Sequence, residues 1–158
     1  MKYGPLLDSE IAMTVERIRA DKESELRRWL MDNGDPEFAT HRQLRDYFLT
    51  ESDDFGVLVL RALDGKIDAC LFYSRYDGKS YAHLYMGAAT GFQELMDHLG
   101  YPCQAFLTED FLEEMDLPAS GWLEVLKVRP GFVVDHPAYD GVFSRVAPRF
   151  KGSVMEHA

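Results

Sequence analysis

The chain has 158 residues, of which 46% are hydrophobic and 13% aromatic, enough apolar surface for one folded domain and too much for general disorder. Seventeen basic residues against 27 acidic ones give a net charge of −10, which opposes direct binding to nucleic acid or an anionic membrane, where phosphate neutralisation supplies most of the affinity. No apolar run approaches the roughly 20 residues that span a bilayer, and residues 1–5 lack the apolar stretch of a signal peptide. The expectation is a cytoplasmic protein with one globular domain over 1–147.

The first third reads as helical. Ile11, Val15 and Ile18, then Leu26, Trp29 and Leu30, recur at helical spacing, with Asp8 or Ser9 as a start cap and Asn33-Gly34 as a stop. A shorter helix over 40–50 would bury Leu44, Tyr47 and Phe48. Two copies of Asp-Gly-Lys, at 64–66 and 77–79, then sit between runs of β-branched, aromatic and aliphatic residues. Asp-Gly supplies the positive φ of tight hairpin turns, so three antiparallel strands are expected at 55–63, 66–75 and 79–86. Val57 and Val59 alternate with Leu58 and Leu60, which makes the first an internal strand covered on both faces. Asp68 is expected near a strand start, in water. Alternation puts Tyr81, His83 and Tyr85 on one face of the third strand.

Phe92, Leu95, Met96 and Leu99 form the apolar stripe of a helix over 90–99 that ends at Gly100. A strand over 101–107, an acidic helix over 109–117 stopped by Pro118, and a strand over 123–128 follow. Further strands are expected near 131–135 and 142–146, with Asp140-Gly141 as a turn, and 148–158 reads as a weakly ordered tail. The fold class is α/β (α+β): a mixed, mostly antiparallel central sheet flanked by helices, in the order α-α-β-β-β-α-β-α-β-β.

Most familiar chemistries find no motif. Cys70 and Cys103 sit among apolar residues and read as small buried hydrophobes, and no Cys/His spacing suits zinc. Asp135-His136 with Asp140 is the densest potential metal group, but its place beside a turn favours backbone hydrogen bonding, so no metal is expected. GxSxG, the P-loop and GxGxxG are missing. Residues 80–126 contain no lysine or arginine, whereas Glu109, Asp110, Glu113, Glu114 and Asp116 crowd one short segment. Like charges at i and i+4 weaken an isolated helix slightly, a cost that contact with a basic partner would offset. Tyrosines such as Tyr81 and Tyr85 are common at contact hot spots. The leading expectation is therefore a small acidic protein without a cofactor that binds a basic protein through Glu109, Asp110, Glu113, Glu114, Tyr81 and Tyr85, such as an immunity protein or a phage or mobile-element inhibitor.

The element order also resembles the GNAT family of N-acyltransferases over residues 8–146. Gly121-Trp122 resembles the Gly-aromatic pair that often follows that family's last helix. Leu84-Tyr85-Met86-Gly87-Ala88-Ala89 resembles its pyrophosphate loop: Gly87 and Ala89 fit the small positions, and Leu84 stands where the family has Gln or Arg. The resemblance implies an alternative, an acyl-CoA-dependent N-acyltransferase that holds the pyrophosphate of acetyl-CoA or another acyl-CoA at Gly87, Ala88, Ala89 and Gly91. Oriented N–H groups and a helix dipole stabilise an anion there. Carboxylates would orient or deprotonate an amine. Leu117 occupies the place of the family's acidic tyrosine. A third strand that splays from its neighbour would favour the enzyme. A continuous ladder, or an aromatic filling the gap, would oppose it.

Overall fold

The computed structural model describes residues 14–33, 55–129 and 151–158. Over these the order is β1 (Thr14–Ile18), α1 (Glu23–Asn33), β2 (Phe55–Arg61), β3 (Ile67–Tyr76), β4 (Lys79–Gly87), α2 (Ala89–Leu99), β5 (Cys103–Thr108), α3 (Glu109–Glu114), β6 (Leu123–Val128) and β7 (Gly152–His157). The expected caps at Asp8 or Ser9, the helix over 40–50, the strands near 131–135 and 142–146, and Asp135, His136 and Asp140 lie outside the described residues.

The strands form one seven-stranded sheet in the order β1-β2-β3-β4-β5-β7-β6. Every neighbouring pair is antiparallel except β4 and β5. The mixed, mostly antiparallel sheet flanked by helices is thus as expected. Both Asp-Gly turns are present, with Gly65 at φ 83° and Gly78 at φ 77°. Asp68 is exposed, in a register shift of β3 opposite Leu60 and Arg61.

Two core layers sandwich the sheet. Leu26 and Leu30 of α1 pack with Val57, Val59, Phe72, Leu84 and Phe106 on one face. Phe92, Leu95, Met96 and Leu99 of α2 pack with Leu58, Leu71, Ala82 and Ala105 on the other. All four α2 side chains are buried, and each contributes about 1.5–3 kcal/mol by leaving water. The sheet-facing half of α2 thus fixes where its N-terminus points.

Two expectations are corrected. Residues 14–18, read as helix, form β1 and pair with β2 from Thr14–Arg61 to Ile18–Val57. β-Branched Thr14, Val15 and Ile18 suit a pleated strand, and the open edge of β2 supplies the hydrogen bonds. Residues 152–157, read as a weakly ordered tail, form β7 between β5 and β6, with Val154 and Met155 buried. The short Gly-Ser-Val-Met run gives little local signal; its order comes from two neighbouring strands.

The end of β2 is tied down by charge. Arg61 Nε donates to Glu16 Oε1 at 2.6 Å, and its Nη1 and Nη2 donate to both oxygens of Glu25 at 2.8 Å. A hydrogen bond from Lys22, then those from Arg61, hold the Glu16 carboxyl below its usual value, and the Arg61 hydrogen bonds do the same for Glu25. Carboxyls lowered by folding stabilise the native state above their unfolded value of 4.5, and that contribution is lost as pH falls through the folded values. Replacing Arg61 by Met is expected to cost about 1 kcal/mol at pH 7 after solvent screening and much less in acid. Urea denaturation at pH 7 and below pH 4.5 checks this; a cost that does not shrink in acid would count against the network.

Candidate active site between the splayed strands

Strand β4 carries an extra residue. Phe72 pairs with Leu84 and Tyr73 with Ala82, so His83 is the unpaired residue of a β-bulge. Its Nε2 lies 2.8 Å from Ser74 Oγ, and both side chains are buried. A bulge bends its strand and ends regular pairing. The β4–β5 ladder has only the rungs Ser80–Cys103, Tyr81–Gln104 and Ala82–Ala105. Beyond these, β4 stays on β3 as far as Ala69–Gly87, and β5 stays on β7 as far as Thr108–Gly152. The sheet therefore divides at the bulge into two halves, leaving facing edges at residues 83–87 and 106–108.

The mouth of this gap leads to the N-terminus of α2. Gly87 has φ 140°, and a Cβ there would lie 2.5 Å from that of Ala69, so this position requires glycine. Ala88 is the N-cap residue, extended at φ −68° and ψ 150°, and its side chain gives no cap hydrogen bond. No acidic residue occupies the first turn, and Gly87, Ala88 and Thr90 are exposed. Ala88 O accepts hydrogen bonds from Gly91 N and Tyr85 Oη. An uncapped helix start with accessible amides at the mouth of a gap is the chemistry an anion requires.

Of the four residues expected at a pyrophosphate, Gly87, Ala88 and Ala89 stand at this turn, with Ala89 partly buried. Gly91 is buried and faces the sheet, where a Cβ would meet Tyr85 Oη at 2.8 Å and Leu60 at 3.1 Å. Its missing side chain serves helix–sheet packing.

The expected contact tyrosines are corrected too. Tyr81 and Tyr85 are each 7% exposed, and the bulge puts them on opposite faces of the sheet. Tyr85 meets Phe92 and Phe111 edge-on, with ring centroids 5.4 Å apart in each case. Phe111 belongs to α3, so these rings line the helix side of the gap, and a chain lying there would run along them. Burial raises the Tyr85 hydroxyl above its usual range and keeps it protonated. Glu109, Asp110, Glu113 and Glu114 are exposed on α3, immediately after β5. Gly121, at φ 90°, closes a short turn, and Trp122 is fully buried against Phe92. Leu117 is buried and places no hydroxyl at the gap. Among the described residues, no three His, Cys, Asp or Glu side chains gather to hold a metal.

Cys70 and Cys103 are free and buried, and burial pushes the Cys103 thiol up to about 12. Thiols so raised are not nucleophiles at neutral pH. Iodoacetamide is expected to leave both unmodified in the native protein and label both in urea, read by mass; rapid native labelling would contradict their burial.

Sequence reasoning missed the His83 bulge, because a bulge leaves no mark when every flanking residue is apolar. It also missed that Lys127, Arg129 and Lys151 come together at one cleft beyond β5.

No family model matches the sequence, and no curated protein matches it. Solved structures do share the fold. The ribosomal-protein-S18-alanine N-acetyltransferase from Escherichia coli is 13% identical with a TM-score of 0.58, and the alignment covers 92% of each chain. A GCN5-related N-acetyltransferase from Kribbella flavida is 19% identical with a TM-score of 0.54, over 92% of this chain and 97% of that one. A spermidine N-acetyltransferase chimera that includes the Vibrio cholerae enzyme is 8% identical with a TM-score of 0.63, over 92% and 94%. The chain therefore has the fold of the GNAT superfamily. These neighbours overturn the leading expectation of a non-enzymatic inhibitor or immunity protein, and the expectation of no cofactor falls with it. No helix among the described residues is long and apolar enough to cross a membrane.

Proposed function

We propose that the protein is an acyl-CoA-dependent N-acyltransferase acting on an amine. The observation that carries this reading is the splay of β4 from β5 beyond Ala82–Ala105, which opens onto an uncapped helix start. The residues present fit the cofactor: backbone amides from Gly87 to Thr90 would receive the pyrophosphate, and the free edge of residues 83–87 would hydrogen-bond the amide-bearing arm. When bound, acyl-CoA supplies the activated acyl group. Buried apolar side chains around the gap, among them Leu84 and Phe106, exclude water from that group. Exposed Asp110, Glu113 and Glu114 would draw a cationic amine towards the mouth, so the acceptor, free or on a basic protein, is the proposed partner.

Pyrophosphate recognition would here rest on backbone amides, because residues 80–126 carry no cation. Modest affinity follows, in the micromolar range of roughly −8 kcal/mol rather than the nanomolar range. Calorimetric titration with acetyl-CoA and CoA tests the reading. Micromolar heats would support it, and silence at millimolar ligand would remove it.

A further inference from the structure

A cleft of about 520 Å³ lies between the start of α3, the end of β6 and the start of β7. Register fixes its place. Thr108 of β5 and Val128 of β6 both pair with Gly152 of β7, so the cleft shares the sheet end onto which the splay opens. It stands on the far side of β5 from Gly87: β6, which carries Lys127, is three strands from β4 and across the splay, at least about 15 Å away.

Its lining carries more basic than acidic side chains, in a chain of net charge −10. Lys127, Arg129 and Lys151 line it with Glu109, Glu124 and Ser153. Lys151 Nζ is 3.1 Å from Glu109 Oε2, and Ser153 Oγ donates to Glu124 Oε1 at 2.7 Å. Glu109 is thus ion-paired, Glu124 keeps its charge, and three cations face two carboxylates. Lys127 and Arg129 have no such ion pair or hydrogen bond among the described residues. The register shift between Glu124 and Leu126 brings Glu124 and Lys127 onto the face that carries Ser153, and Arg129, just past the end of β6, lines the same cleft.

Two cations at one cleft with no ion pair among the described residues, one of them a planar guanidinium, suit a carboxylate or phosphate. We propose that this cleft is an anion subsite for the acceptor. Its amine is drawn to the α3 carboxylates at the splay, and a carboxylate or phosphate on the same molecule is held by Lys127 and Arg129. The acceptors are then amino acids, peptides with an accessible carboxylate, or phosphorylated amines, and purely cationic polyamines are poor ones. This inference rests on the N-acyltransferase reading. The cofactor pyrophosphate is assigned instead to the uncapped helix start across the splay, and the test separates the two anions.

The test uses inorganic phosphate as the probe, followed by amide resonances of the full chain, together with calorimetry of acetyl-CoA and its 3′-dephospho form. Wild type is compared with the double variant Lys127→Glu, Arg129→Glu, both positions being exposed. Phosphate is expected to shift resonances of residues 127–129 and 151–153 saturably in wild type and not in the variant. Acetyl-CoA affinity should change less than about twofold. No saturable shift up to about 50 mM phosphate would overturn the proposal. So would a tenfold loss of acetyl-CoA affinity in the variant that the dephospho form does not share, which would assign the cations to the cofactor. The phosphate arm is read without acyl-CoA. A wild type that bound phosphate here but no acyl-CoA would remove the acyltransferase reading, and the acceptor assignment with it, while leaving an anion site.

Discussion

Ala88→Asp should make the protein more stable and a worse binder of acetyl-CoA. Ala88 already has the extended geometry of an N-cap, and its methyl offers the helix nothing. An aspartate there would accept from a free amide of the first turn and place negative charge at the positive end of α2. Each effect is worth about 1 kcal/mol, and each kcal/mol raises the melting midpoint by roughly 2–4 °C for a chain of this size. The same amides are the ones proposed to hold the pyrophosphate. A carboxylate competes for them and repels the diphosphate, so affinity should fall roughly 30- to 100-fold. Ala88→Asn separates the causes: a neutral cap competes without repelling and should lose less. Calorimetry and thermal melting read the two effects independently. If Ala88→Asp binds acetyl-CoA as tightly as wild type, the pyrophosphate does not sit at this turn, even if the melting midpoint rises as expected.

That opposition of stability and binding also explains what the sequence could reveal. Asp64-Gly65 and Asp77-Gly78 are local signals, and the meander they close was legible because a positive φ has few residue solutions. The stripe Phe92, Leu95, Met96 and Leu99 was legible for the same reason of periodicity. Non-local pairing was not. Val15 and Ile18 fit a helical spacing as well as a strand, and only the edge of β2 decides between them. Residues 152–157 are ordered by strands distant in sequence. Strict alternation put Tyr81 and Tyr85 together, and one inserted residue, His83, separated them. That bulge ends the β4–β5 ladder, so the feature that defines the candidate site is the one that alternation could not show. Gly87 and Gly91 looked alike as small residues. Their surroundings distinguish them: one shapes an exposed turn, and the other lets a helix approach Leu60.

The largest loss of stability is expected from Gly152→Ala. A Cβ on Gly152 would lie 2.0 Å from the carbonyl oxygen of Leu107, 2.9 Å from its carbonyl carbon and 3.0 Å from Thr108 Cα. All three are backbone atoms of β5, so no rotamer change relieves the overlap. The β5–β7 rungs Leu107–Ser153 and Thr108–Gly152 would have to separate, exposing strand hydrogen bonds on both sides. Overpacking alone costs about 1–3 kcal/mol, and the lost rungs should bring the total to roughly 4 kcal/mol. Gly65→Ala is the fitting control. Nothing lies within 4 Å of that Cβ, so its cost is the backbone term at φ 83°, about 1–2 kcal/mol. Urea denaturation of the two variants separates crowding from conformation; equal midpoints would mean that β7 does not sit this close to β5. The consequence reaches the candidate site, because Gly152 marks where the half-sheet of β5, β7 and β6 is held together beside the splay. With β5 loosened from β7, the far wall of the gap and the Lys127–Arg129 cleft would lose their common support.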